Sequence, residues 1–278
     1  MSDQNGGIPS GTSDSGAAGV SAPAMAPGTL SIGTVFSVTL SILFTNFHRF
    51  FLLAAVTWLP TLAVILIAPS FQADMMTGAA SPVFIAAYVI VSWLLVSWLY
   101  GAITHMACVL LANGDVSIVA SMVEGLKRGI PVFFVMVLQG LAMMVGFVFL
   151  VIPGVIVMTM LFIAVPAAVA ERKGPFAALS RSAALTKGYR WRIFGAGILA
   201  FLLMLAVGVA FGIAAGTFPF TLSGELIQTA PGTAAIVIGS LFEAVQYLFI
   251  LVFASVLYHQ IRVAKEGSSA EEIASVFD

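Results

Sequence analysis

The sequence predicts an all-α membrane protein: a bundle of six transmembrane helices with short amphipathic helices at one interface. Three observations lead there. Of 278 residues, 60% are hydrophobic and 8% are charged, against roughly a quarter charged in ordinary soluble domains; mean hydropathy is +1.10. Six runs are long and apolar enough to span, given that about 20 helical residues cross roughly 30 Å of hydrocarbon. All 11 Lys and Arg residues fall on one side of the topology those runs define.

Residues 1–28 are mainly Gly, Ser, Ala, Pro, Asp and Asn, with no Lys, no Arg and no apolar core. They predict a disordered tail and no cleavable signal peptide. The membrane domain follows over 29–267. It opens with an amphipathic segment in which Thr34, Ser37, Ser41 and Thr45 form a polar stripe opposite Val35, Phe36, Ile42 and Leu43. Such a helix lies in the headgroup plane, apolar face down. The first two spans are expected at about 50–69 and 83–112.

A second surface helix carries Ser117, Ser121, Glu124 and Arg128 against Val119, Met122, Val123 and Leu126. Pro131 then opens the third span, about 131–151, and the fourth, about 154–170, contains Pro166. Between them Leu150-Val151-Ile152-Pro153-Gly154 supplies only a Pro-Gly turn, hence a tight antiparallel hairpin. Pro175 and Gly188 bracket a third surface helix by the usual asymmetry of Pro at the start and Gly at the end. Spans five and six are expected at about 193–216 and 233–260. In the tail, 268–278, Ser268 and Ser269 before Glu271 and Glu272 make capping boxes for one short helix.

Cations near helix ends are retained on the cytoplasmic face. Arg49, Lys127, Arg128, the group from Arg172 to Arg192, Arg262 and Lys265 therefore place both termini in the cytoplasm, whereas the opposite loops hold Asp74 and Glu225 and no cation. The same cations outline three parallel units of surface helix plus transmembrane hairpin, each entered through a cationic, mostly aromatic segment such as Asn46-Phe47-His48-Arg49-Phe50 or Lys187-Gly188-Tyr189-Arg190-Trp191-Arg192.

Charge inside the bilayer costs about 3 kcal/mol and marks a candidate site. Glu243 is the acidic residue deep in a span. Counting about 1.5 Å per residue brings Glu243, Gln139 and His105 to similar depth, as one intramembrane polar cluster. The functional reading is a proton or substrate site. The structural one, favoured by the four-residue spacing of Ala235, Gly239 and Glu243, is interhelical hydrogen bonding on a small-residue face. Gly208, Gly212 and Gly216 form a second packing stripe on span five. Tyr258, Arg262 and Glu266 share a helix face at i, i+4 spacing.

Catalytic patterns are absent: there is no HExxH, G-x-S-x-G or P-loop. The lone Cys108 makes no disulfide framework. No cofactor or metal is expected, because His48, His105 and His259 are far apart. With 11 basic and 12 acidic residues, nothing suggests nucleic acid. The expected partners are the lipid bilayer, anionic headgroups facing the segment from Arg172 to Arg192, and a membrane protein or second copy of the chain.

Ile152-Pro153-Gly154, Val165-Pro166, Glu171, Ala178-Leu179, Arg181-Ser182, Leu185-Thr186-Lys187-Gly188 and Trp191, then Tyr258, Arg262 and Glu266-Gly267, form a pattern. It resembles the bacterial YciC-like membrane proteins and the membrane domain attached to some glycerophosphoryl diester phosphodiesterases. The resemblance covers nearly everything after residue 28 and implies a bacterial inner-membrane location. It marks Glu171, Arg181, Ser182, Lys187, Arg190, Trp191 and Arg192 as a cytoplasmic motif, and Tyr258, Arg262 and Glu266 as a C-terminal one. The acidic residue common two positions after the final Tyr is Gln260 here. Phosphodiesterase chemistry does not carry over, since that activity belongs to a separate barrel of roughly 250 residues. The expected function is a non-catalytic scaffold or accessory protein of the cell envelope; the alternative is a small transporter or permease working through the cluster at Glu243.

Overall fold

The computed structural model describes residues 30–55, 74, 77–112, 114–214 and 233–267. Those residues are helical, with no strand among them. Five helices are long and apolar enough to cross a membrane, or six when one bent pair counts as a span. We number the helices α1 (Ile32–Thr45), α2 (Phe47–Ala55), α3 (Pro82–Leu111), α4 (Ile118–Phe149), α5 (Val151–Leu161), α6 (Ala164–Ala170), α7 (Pro175–Thr186), α8 (Arg190–Ala214) and α9 (Thr233–Glu266).

The bent pair is α1 and α2, which meet at 74° around Asn46, whose side-chain amide donates to the Ile42 carbonyl at 3.2 Å. A side chain that satisfies the preceding turn's carbonyl ends a helix there. The apolar face of α1 does not simply rest on lipid, as its pattern suggested. Val35, Val38 and Ile42 are buried, and the Phe36 ring lies 5.3 Å from that of Phe253 on α9. Of the first expected span, 50–69, only the start falls within the described residues; the loop at 217–232 and the tail helix at 268–278 lie outside them.

The second surface helix and third span are one helix, which corrects the expected boundary at Pro131. Pro131 sits inside α4. Proline removes the hydrogen bond to the carbonyl four residues back, here that of Lys127, at the charged end where water can replace it. Small residues then let α3 and α4 approach closely. A Cβ on Gly125 would come within 2.7 Å of the Ala102 nitrogen and 2.8 Å of the Trp98 oxygen, and the Trp98 indole donates to the Met122 carbonyl at 2.9 Å.

The α4–α5 hairpin is tighter than a Pro-Gly turn. Leu150 alone separates the helices, in extended conformation, and Pro153 and Gly154 belong to the first turns of α5. A Cβ on Gly146 would lie 3.0 Å from the Gly154 Cα. The fourth span covers Val151–Ala170 but is broken at Phe162 and Ile163. Pro166 explains the break: it has no N–H for the Phe162 carbonyl. The Met160 carbonyl instead accepts from Ser182 Oγ at 2.8 Å and Thr186 Oγ1 at 3.2 Å, both on α7. That broken span and α9 form the centre of the bundle, half of each apolar window being buried, against 6% for α3.

Candidate functional site

The densest charged constellation forms where α6, α7 and the end of α9 meet. Its geometry starts with a turn. Glu171 caps the C-terminus of α6, Arg172 takes a left-handed φ of +53°, and the Lys173 N–H returns to the Ala168 carbonyl at 3.2 Å. This is the Schellman arrangement, in which glycine usually occupies the left-handed position. The chain then reverses through Gly174 and Pro175 into α7.

The turn points the Glu171 carboxylate inward, with 11% of its side chain exposed. Oε1 accepts from Arg181 Nε at 2.7 Å and the Tyr258 hydroxyl at 2.9 Å; Oε2 accepts from Arg181 Nε at 2.9 Å and pairs with Lys173 Nζ at 2.6 Å. A carboxylate has about four lone-pair sites; three donors occupy them here, the single Nε–H of Arg181 being shared between both oxygens. Arg181 also pairs with Glu266, which accepts from Arg262 at 3.3 Å. Lys265 donates to the Ala184 carbonyl at 2.7 Å. The two motifs read from the sequence, Glu171–Arg181 and Tyr258–Arg262–Glu266, are thus one network.

Burial alone would push the Glu171 carboxyl up, but hydrogen bonds from Lys173, Arg181 and Tyr258 outweigh it and hold the group below its ordinary range. Burial would likewise lower the Arg181 guanidinium; its bonds to Glu171 and Glu266 raise it instead. Both shifts favour the charged forms. Ser182, from the same motif, is buried on the Met160 carbonyl.

Lys187, Arg190, Trp191 and Arg192 lie outside this network. Lys187 and Arg192 are exposed, as is 81% of Trp191, whose ring meets Phe194 edge-on at 6.1 Å. Arg190 Nε is buried with no hydrogen-bond partner. From the sequence Glu124 stood only on the polar stripe of a surface helix, and Lys173 only within the cationic segment; neither was a site residue. Glu124, with 14% of its side chain exposed, pairs with Arg128 at 3.4 Å, Arg172 at 3.8 Å and Lys127 at 3.9 Å. The i, i+3 and i, i+4 spacings to Lys127 and Arg128 were the available signal.

The expected intramembrane cluster is not assembled. His105 Nδ1 lies 3.4 Å from Ser121 Oγ, one turn from Glu124. Gln139 lines a cavity of about 210 Å³ with Tyr100, Thr104 and Pro166. Glu243 lines two other cavities, of about 560 and 240 Å³. Matching depth gives height along the bundle, not direction around each helix. The packing glycines also divide. A Cβ on Gly208 would lie 3.1 Å from Gln246 Nε2, whereas Gly239 faces open space; Gly212 is buried, and Gly216 lies outside the described residues. No protein-family model, curated protein or solved structure matches the chain.

Proposed function

We propose that the chain is a bacterial inner-membrane protein of YciC-like type, with both termini cytoplasmic, that acts as a non-catalytic scaffold or accessory of the cell envelope. The Glu171 carboxylate carries this reading. A carboxylate engaged on both oxygens by Arg181, Lys173 and Tyr258 takes up a substrate proton only at the cost of those bonds. What the network does is clamp α6, α7 and α9 together, so that the cationic end presents a fixed surface, including exposed Phe176 on α7.

Native mass spectrometry of the tagged chain, gently extracted from its own membranes, tests the proposal. A stoichiometric protein partner is expected, and a chain that always emerges without one would refute the scaffold role. Orientation has its own test. A thiol reagent confined to the outside of intact cells should leave Lys187→Cys unlabelled until the membrane is opened; prompt labelling would reverse the topology.

A second reading, a small permease, is favoured by Glu243, which lines cavities on both sides of α9. Proton- or substrate-coupled uptake into vesicles that disappears in Glu243→Gln would shift the assignment there.

A further inference from the structure

α8 packs on the core through Ile193, Ala196 and Ala200 but leaves one side open toward α5 and α9. Toward its C-terminal end it meets α9 through Gln246 Nε2, which donates to the Met204 carbonyl at 3.3 Å, and through the stacked rings of Phe211 and Phe242, 4.1 Å apart. From Met204 back toward Arg190 the helices separate around the cavity of about 560 Å³, walled by residues such as Met158, Phe194, Phe201 and Ile250. Gly197 is on this wall, and a Cβ added there would meet nothing within 4 Å. The volume is within the roughly 300–1,000 Å³ range of ligand sites.

A smaller cavity of about 190 Å³ adjoins the first, sharing Thr159 and Phe194, and is lined by Arg190 and Trp191. Here the cations differ from those of the network. Among the described residues, Lys187, Arg190 and Arg192 have no ion pair, whereas Lys173, Arg181 and Arg262 do. The buried Nε of Arg190 lacks any acceptor, and a buried donor normally has one. Uncompensated positive charge therefore gathers at one end of a mostly apolar groove, whose α9 wall also carries Glu243 and Gln246. From Arg190 to Met204, where the cavity ends, the helix rises ~21 Å, the reach of a headgroup layer plus one leaflet of the ~30 Å hydrocarbon core.

We infer that the groove between α5, α8 and α9 holds one anionic phospholipid of the cation-side leaflet, its phosphate on Arg190 and one acyl chain in the cavity ending at Met204. Guanidinium suits a phosphate oxygen through directed, charge-assisted hydrogen bonds. Lys187 and Arg192 add attraction without geometry. The occupant is held by both ends, so neither inorganic phosphate nor an uncharged lipid replaces it equally well.

The test uses the full chain, purified and stripped of lipid, then titrated with phosphatidylglycerol or the phosphate-free, uncharged diacylglycerol of the same acyl chains, and read by native mass spectrometry. The wild type should retain one phosphatidylglycerol with a preference of about fivefold to tenfold, undisturbed by millimolar inorganic phosphate. Arg190→Gln should abolish the preference, Arg190→Lys should keep part of it, and Gly197→Leu should reduce retention of both lipids. Arg49→Gln, whose partner is Asp115, should behave as the wild type. Equal retention of both lipids, an unchanged preference in Arg190→Gln, or a lipid-free dimer with Gly197 at its interface would overturn the inference. If Arg190→Gln does not fold, salt decides: the wild-type preference should collapse in 1 M NaCl, and a salt-independent preference refutes the phosphate contact.

Discussion

Replacing Glu171 by alanine should destabilise the protein more than any other single change at its charged surface. The substitution removes the acceptor of Arg181, Lys173 and Tyr258 together. Deleting one partner of a buried ion pair costs about 3–5 kcal/mol. Here the cost falls toward the lower end, because Arg181 keeps Glu266 and Lys173, with 38% of its side chain exposed, regains water. The Tyr258 hydroxyl does not, since that residue is 2% exposed, and an orphaned buried donor costs about 1–3 kcal/mol. A loss of about 3 kcal/mol follows, or roughly 6–12 °C in Tm at about 2–4 °C per kcal/mol for chains of this size. Thermal unfolding in mild detergent, followed by circular dichroism, measures it. Tyr258→Phe alone should cost about 1 kcal/mol, whereas in the Glu171→Ala background it should recover about 1 kcal/mol by removing the orphaned hydroxyl. If Glu171→Ala unfolds within about 0.5 kcal/mol of wild type, the range of an ordinary surface change, or if Tyr258→Phe costs the same in both backgrounds, the network does not brace the fold.

The same carboxyl sets a pH dependence. Its folded-state pKa lies below the ordinary value of 4.5, so its contribution is fully present above that value and is lost as pH falls through the lowered one; Tm measured from pH 7 to pH 3 should drop less in Glu171→Gln than in wild type. Arg172→Gly should raise stability by about 1 kcal/mol in chemical denaturation, because it relieves a left-handed residue and removes only a 3.8 Å pair whose arginine is 71% exposed. Gly125→Ala should lower Tm through overpacking worth about 1–3 kcal/mol, as its Cβ would meet Ala102 and Trp98 backbone. Gly140→Ala, facing open space, should hold or raise it.

Hydropathy and cation placement are properties of the chain in one dimension, and they made the spans legible. They register where a helix can lie, not where it stops. Pro131 has the sequence signature of a helix start, yet the hydrogen bond it removes belongs to the interfacial Lys127 carbonyl, and α4 runs through it. Pro166 carries the same residue type deeper in the bundle, where hydroxyls from Ser182 and Thr186 support the broken span. The network was half legible for a related reason. Tyr258, Arg262 and Glu266 announced themselves by spacing, but their meeting with Glu171 depends on the left-handed turn at Arg172, which no periodicity records.

The two ends of α8 show how the charged and apolar halves of the molecule divide their roles. Within a bilayer, lipid tails solvate leucine as well as a neighbouring helix does, so spans associate through close packing and polar contacts. The broken span and α9 have both: they share the core, and the Glu171 network clamps their cation-side ends. α8 packs on that core through buried Ile193, Ala196 and Ala200. It meets α9 at the Gln246–Met204 hydrogen bond and the Phe211–Phe242 stack, while its first turn carries Arg190 and Arg192, which have no ion pair among the described residues. Between these contacts its wall toward α5 and α9 stands open around the cavity. The space it leaves is therefore a property of its sequence, and an amphiphile with an anionic head satisfies both the open wall at Gly197 and the orphaned guanidinium at Arg190.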